Sequence, residues 1–205
     1  MTGPRTYGDP CGIARALDVV GERWALLVVR ELLLGPRRFT DLRAALGASP
    51  NVLSQRLGEL EANGVVARGT AGGSHYGLTD WGRQLHPILL ALGRWGAHAP
   101  HRPSGELSVD ALMVALQSTF VGAAARELSA TLELRVGEES FTADVRDGTL
   151  AILRGAPPRP HAVVTAGPKA LREVAFGDRD LAAADIELQG DPKIARKFLA
   201  SFARP

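Results

Sequence analysis

The chain is poor in cysteine, lysine, aromatic side chains and long apolar runs. Cys11 is the single cysteine among 205 residues, so no disulfide can close within the chain. No uninterrupted apolar run is longer than Trp24 to Val29, which falls far short of the about 20 residues that a bilayer span needs. Met1 to Pro10 holds no apolar stretch of the signal-peptide kind. These absences lead us to expect a cytoplasmic protein with no membrane partner. Chemistry-bearing arrangements are missing too. His98 and His101 have a metal-like spacing but stand in a linker with no acidic or cysteine partner. No nucleophile–base arrangement and no phosphate-cradling glycine loop occurs, so neither an enzyme nor a cofactor or metal is expected.

What is present is an ordinary globular composition, 45% apolar and 22% charged, enough for a sizeable core. Lysine is nearly absent and arginine supplies almost all the positive charge. The formal net charge is only +2, but residues 1–100 hold 11 arginines against 8 carboxylates, while residues 101–205 carry 13 basic groups against 14 acidic ones. The first half is therefore favoured as the anion-binding half. Ala97 to Gly105 contains two prolines and a glycine without periodicity and reads as a linker. We expect domains at 1–97 and 107–205, joined by 98–106.

The first half is patterned for helices. Cys11–Val20 is amphipathic and closed by Gly21, and Trp24–Leu34 is apolar nearly all round, as a buried central helix would be. Phe39, Leu42, Ala45 and Leu46 mark a third helix with Arg37, Arg38 and Thr40 at its start. Ser49-Pro50 is a strong start for a fourth, which Gly64 terminates. Val65–Arg68 and His75–Leu78 read as two strands around a Gly-rich loop, and Thr79 caps a fifth helix reaching about Gly96. Pro87 should kink or split that helix. Two short helices joined by a Gly-containing turn and followed by a hairpin make a winged helix-turn-helix, whose second helix enters the major groove of double-stranded DNA.

At about 100° per residue, Val52, Leu53, Leu57 and Leu60 face the core, and Asn51, Ser54, Gln55 and Gly58 face away. Asn and Gln can pair in bidentate fashion with adenine, Ser can bond either type of base, and Gly58 would admit a close approach. Arg56 flanks the apolar side and should form a salt bridge or a phosphate contact. Arg37, Arg38 and Thr40 suit phosphates, with a solubilising surface equally open for Arg37, and Ser49 joins the residues expected at the DNA. Arg68 and His75 flank the wing loop. That loop has no charge, so contact there would run through main-chain N–H groups or Ser74. An Asn/Ser/Gln edge alone is more often a solvated face; the surrounding motif is what favours bases.

Several segments in order closely resemble the HxlR-type transcriptional regulators of bacteria. They are Cys11 with Leu17-Asp18-Val19-Val20-Gly21-Glu22-Arg23-Trp24, then Arg38-Phe39-Thr40-Asp41-Leu42 and Ser49-Pro50-Asn51-Val52-Leu53-Ser54-Gln55-Arg56-Leu57. Leu60 to Val66 and Tyr76-Gly77-Leu78-Thr79-Asp80-Trp81-Gly82 complete them. The resemblance covers about residues 8–97 and implies a homodimeric winged-helix protein that binds DNA. Trp81, Leu85, Ile88, Leu92 and Trp95 repeat at 4, 3, 4, 3, a heptad-like stripe that reads as a dimer seam or an intrachain core stripe. Cys11, at a helix start, is a redox candidate, since some members of that family sense oxidants through a cysteine in this region; a buried interface residue is the alternative.

The second half alternates helices with period-two strands at Thr131–Val136, Phe141–Val145, Thr149–Leu153, Val163–Thr165 and Asp185–Gln189. Asp147-Gly148 between two of them signals a hairpin. Helices are expected at Val109–Phe120, Pro168–Phe176 and Pro192–Phe202. The fold class is α+β, a winged helix-turn-helix followed by a smaller α+β domain with an antiparallel sheet. The element order of that domain is similar to the sterol-carrier-protein-like fold, which implies an apolar tunnel. Leu112, Leu116, Phe120, Phe141, Leu171, Phe176, Phe198 and Phe202 would line it, or fill an ordinary core. The expected function is a sequence-specific regulator, with repression as the expected mode, binding an inverted-repeat operator as a homodimer under a small hydrophobic effector. The alternative is a lipid carrier or accessory protein whose first half only dimerises.

Overall fold

The computed structural model describes residues 6–69, 75–100, 105–177 and 179–203. The wing-loop positions 70–74, with Ser74, and linker positions 101–104, with His101, lie outside the described residues. The chain divides into two compact units, Met1–Leu89 and Leu90–Pro205. The division falls inside a helix, ahead of the expected linker.

The first unit runs α1 (Gly12–Val20), α2 (Ala25–Leu32), β1 (Arg37–Arg38), α3 (Phe39–Leu46), α4 (Pro50–Ala62), β2 (Val66–Arg68), β3 (His75–Leu78) and α5 (Asp80–Arg83), and α6 (His86–Ala97) begins within it. Its core gathers Val28, Val29 and Leu32 of α2, Leu42 and Leu46 of α3, Leu53, Leu57 and Leu60 of α4, and Val66, Tyr76 and Leu78 of the strands. Truncating one of these leucines costs about 2–5 kcal/mol, so the α4 stripe alone is a large share of a small unit's stability. Helix α2 is central as expected, and even its Glu31 is buried. That burial is tolerated because the neighbouring Arg30 guanidinium bonds the carboxylate at 2.6 and 2.9 Å.

Two expectations are corrected in this unit. Arg37 and Arg38 are not the first residues of α3; they form β1, an edge strand paired antiparallel with β3, so the sheet has the order β1-β3-β2. A two-residue strand is too short to show alternation. Val52 does not join the core; it is 36% exposed, because Leu53, Leu57 and Leu60 alone fix the buried side and Val52 lies one position off it. The fifth helix is split, as Pro87 led us to expect, into α5 and α6, with the break at Gln84 and Leu85. Pro87 has no N–H and its ring would clash with the carbonyl four residues back, so it fits only in the first turn of a new helix.

Thr79 ties this region together. Its hydroxyl accepts from the Gly82 N–H at 3.0 Å, capping α5, and donates to the Gly64 carbonyl at 2.7 Å. Gly82 then packs so closely on the backbone that a Cβ there would fall 2.1 Å from the Val65 carbonyl oxygen.

The second unit contains α7 (Val109–Thr119), β4 (Ala130–Val136), β5 (Glu139–Arg146), β6 (Thr149–Arg154), β7 (Ala162–Ala166), α8 (Pro168–Phe176), β8 (Ile186–Gly190) and α9 (Pro192–Leu199), with one 3₁₀ turn at Leu181–Ala183. Asp147 and Gly148 both have positive φ, 50° and 71°, which is the type I′ geometry that the β5–β6 hairpin needs. Strand order is β6-β5-β4-β7-β8. The sheet is mixed rather than antiparallel, because β4 and β7 pair parallel, Leu132 opposite Ala162 through Val136 opposite Ala166. The whole β5–β6 hairpin and a segment with Pro157, Pro158 and Pro160 separate them, enough chain to bring β7 alongside β4 in the same direction. One face buries Leu132, Leu134, Val136, Phe141, Ala143, Val145 and Val164. Helix α9 ends earlier than expected. Phe202 pairs instead with Phe120 in an isolated antiparallel bridge, flanked by Val121 N–H to Ser201 carbonyl and Ala203 N–H to Thr119 carbonyl bonds, each 2.8 Å.

Candidate nucleic-acid interface

Helix α4 is started by Ser49, whose hydroxyl accepts from the Val52 N–H at 3.4 Å, with Pro50 as the first helical residue. Its apolar side is fixed in the core. That leaves Asn51, Ser54, Gln55 and Gly58 exposed on the other side, with Val52 beside them. Nothing lies within 4 Å of the position a Cβ would take on Gly58, so the helix backbone is open there. A row of amide, hydroxyl and bare backbone on a rigid helix can offer both donors and acceptors to base edges. The exposed Val52 adds methyl groups, which suit the thymine methyl; the periodicity count concealed it by assigning it to the core.

Arg56 is buried and faces inward. Its guanidinium pairs with the Glu59 carboxylate and stands 3.8 Å from Glu22. Of the two contacts expected for it, the structure therefore holds the salt bridge. Glu59, which the sequence reading passed over, also accepts from the Gln55 side-chain amide at 2.9 Å. Only the i, i+4 spacing of Gln55 and Glu59 could have signalled that bond.

Arg38 and His75 are directly opposite across the β1–β3 pair, and Arg38 Nε approaches His75 Nε2 at 3.3 Å. Arg37 shares the strand and is half-buried. The Asp41 carboxylate accepts from the Arg38 backbone N–H at 3.3 Å and Thr40 donates to the same carboxylate at 3.3 Å. That negative group occupies the N-terminus of α3, the position where a phosphate was expected. The exposed guanidinium of Arg38, rather than the helix end, is thus what this corner offers to an anion. On β2, Arg68 stacks over the Tyr76 ring at 5.1 Å, with Glu61 3.9 Å away. Register explains the stack, since Arg68 and Tyr76 are cross-strand partners.

A family model described as HxlR-like helix-turn-helix matches residues 19–103. The uncharacterized HTH-type transcriptional regulator YvaP of Bacillus subtilis (strain 168) is 44% identical over 86 residues, 40% of this chain and 80% of YvaP. The chain belongs to the HxlR-like helix-turn-helix family. A second relative, the uncharacterized HTH-type transcriptional regulator Mb3122 of Mycobacterium bovis, is 39% identical over 97 residues; the match spans 45% of this chain and 61% of Mb3122. Among solved structures, the redox regulator HypR in its oxidized form is 31% identical, with a TM-score of 0.41 over 45% of this chain and all of HypR. Most of the second unit therefore lies beyond the segment that defines the family.

The other expected sites fall as follows. In the dimer stripe Trp81, Ile88, Leu92 and Trp95 are exposed, Trp95 by 77%, whereas Leu85 is half-buried against the first unit's core. Trp81, Leu85 and Ile88 border an apolar groove of about 230 Å³ with Ala16, Val19 and Val20 of α1. Ile13 and Leu17 of α1 are also exposed. Cys11 is exposed at the N-cap of α1, and its backbone N–H donates to the Asp9 carboxylate at 2.9 Å. In the second unit, Leu112, Leu116, Phe141, Leu171 and Phe198 are fully buried. Phe120, Phe176 and Phe198 meet Phe202 edge-on at 5.8, 6.4 and 5.1 Å. Among the described residues no helix is long and apolar enough to cross a membrane.

Proposed function

We propose that the protein is a sequence-specific regulator of transcription that binds double-stranded DNA with helix α4 in the major groove. The observation that carries this reading is the exposed Asn51, Ser54, Gln55 and Gly58 edge on a helix whose opposite side is locked by Leu53, Leu57 and Leu60. Base edges are read by rigidly held amides and hydroxyls, and phosphates by arginine. Arg38 on β1 and Arg68 on β2 supply positive groups as a wing would, and His75 on β3 stands beside Arg38. The regulator names carried by YvaP and Mb3122 support the same reading.

The active form is a homodimer in the cytoplasm. Exposed Ile88, Leu92 and Trp95 repeat at 4 and 3 along α6 and make an apolar stripe of the kind that marks an interaction surface, and a two-fold partner is the occupant that such a stripe fits. Two α4 helices would then be held roughly 34–36 Å apart, matching an inverted repeat. The regulatory half of the reading rests on the second unit, and the helix–strands–helix–strand–helix order there is what supports the sterol-carrier-like resemblance. Its rings around Phe202 support a filled core, so an apolar effector would have to part them; native mass spectrometry of the purified protein checks whether one is carried.

Selection from a random-sequence duplex library, followed by fluorescence anisotropy, tests the main claim. Asn51→Ala and Gln55→Ala should each weaken the selected duplex by about 1–3 kcal/mol. Parent-like binding by both variants would show that this edge reads no base.

A further inference from the structure

We propose that Glu59 sets the base preference of Gln55: it fixes the amide of Gln55 so that the edge turned to DNA accepts adenine and rejects guanine. The inference rests on the recognition reading above. Gln55 and Glu59 are one turn apart on α4, and the Gln55 Nε2 donates to Glu59 Oε1 at 2.9 Å. A carboxylate can only accept, so the group turned to Glu59 must be the NH₂ and not the carbonyl of the amide. The carboxylate is itself held. Its second oxygen accepts from Arg56 Nη1, and the Arg56 side chain is only 9% exposed, with Glu22 3.8 Å away on its other side. Were Glu59 to swing out, a buried guanidinium would lose its nearest counter-charge, which is expensive.

With one N–H committed to Glu59, the Gln55 amide keeps one N–H and its carbonyl oxygen. That pair complements the N7 acceptor and N6 donor of adenine. Guanine presents acceptors at both N7 and O6, so the same edge would set oxygen against oxygen. An unrestrained glutamine could turn its NH₂ outward and satisfy guanine; one held by Glu59 cannot without breaking the bond. Glu59 touches no base in this account and is a positioning residue.

The test uses the full chain and duplexes enriched from a random-sequence library. Anisotropy compares the enriched duplex with one in which the adenine that depends on Gln55 is changed to guanine. The parent should prefer adenine by about tenfold or more, and Gln55→Ala should abolish that preference. Glu59→Ala should cut the adenine-to-guanine ratio at that position by about fivefold or more, and leave the ratios at other positions and the affinity for an unrelated duplex as in the parent. Glu59→Gln keeps an acceptor oxygen for Gln55 and Arg56 and should fall between the two. It decides the matter if thermal unfolding shows that Glu59→Ala does not fold. A parent-like ratio in the folded Glu59 variants, where Gln55→Ala has lost it, overturns the inference and leaves the recognition reading intact. An enriched site indifferent to Gln55→Ala but weakened by Asn51→Ala overturns the inference alone, whereas enrichment of no sequence by the parent, or a site indifferent to both variants, overturns the recognition reading and the inference with it.

Discussion

Gly58→Ala separates the folding role of α4 from its DNA role, because the two respond with opposite sign. Glycine inside a helix is destabilising relative to alanine by about 0.5–1 kcal/mol, since it gives up more backbone freedom on folding. Gly58 is in the middle of α4, and beyond the adjoining helix backbone nothing lies within 4 Å of the added Cβ, so the methyl group meets no other part of the chain. The variant should therefore gain most of that amount in stability. In a unit the size of Met1–Leu89, each kcal/mol moves the melting temperature by about 4–8 °C. Against DNA the methyl group stands on the face with Asn51, Ser54 and Gln55, where a duplex must come close for those short side chains to reach it. We expect a loss comparable to one mismatched base pair, about 1–3 kcal/mol. Differential scanning calorimetry gives the first quantity and anisotropy with the enriched duplex gives the second. A variant that melts higher and binds the duplex as tightly as the parent would refute the claim that DNA approaches over Gly58.

Arg38→Ala should weaken all duplexes alike and reduce the slope of log affinity against log salt by about 1, measured by anisotropy across a salt series; an unchanged slope removes Arg38 from the phosphate contacts. Arg56→Ala should lower the melting temperature without altering that slope, because its guanidinium is engaged with Glu59 inside the protein. Trp95→Glu puts a charge into the exposed stripe and should turn a dimer into a monomer in analytical ultracentrifugation; a variant still dimeric at the parent's concentration places the interface elsewhere. In the second unit, a hydrogen bond from Arg135 holds the Glu133 carboxyl below its ordinary value, with a further contribution from Ser140. Its stabilisation is present above the usual glutamate range and is lost as pH falls through the lowered value. Urea unfolding at several pH values should show Glu133→Gln less stable than the parent near neutrality, with the gap closing in acid; a constant gap contradicts that ion-pair origin.

The readable parts of this fold were those whose signal is local. Ser49-Pro50 and Thr79 announce helix starts through capping chemistry, and both caps form. Asp147-Gly148 announces a hairpin because only such residues accept two positive φ angles in succession. Pro87 announces a break through its missing N–H. The parts that stayed hidden depend on partners distant in sequence. The two-residue strand β1 exists because β3 comes alongside it, and the parallel pairing of β4 with β7 depends on a crossover that period-two alternation does not encode.

The candidate site divides along the same line. Which side of α4 is exposed follows from the spacing of three leucines, so Asn51, Ser54, Gln55 and Gly58 could be named from the sequence. What those side chains do is set by their neighbours. Arg56 is drawn inward because Glu22 and Glu59 converge on it, and a guanidinium so placed cannot also reach a phosphate. Asp41 similarly takes the helix end that an anion would have used, and shifts that task to the strand guanidinium of Arg38. In both places a carboxylate decides which arginine remains available to DNA. Specificity in this protein is therefore expected to respond to its acidic residues as much as to the basic and amide groups that would touch the duplex.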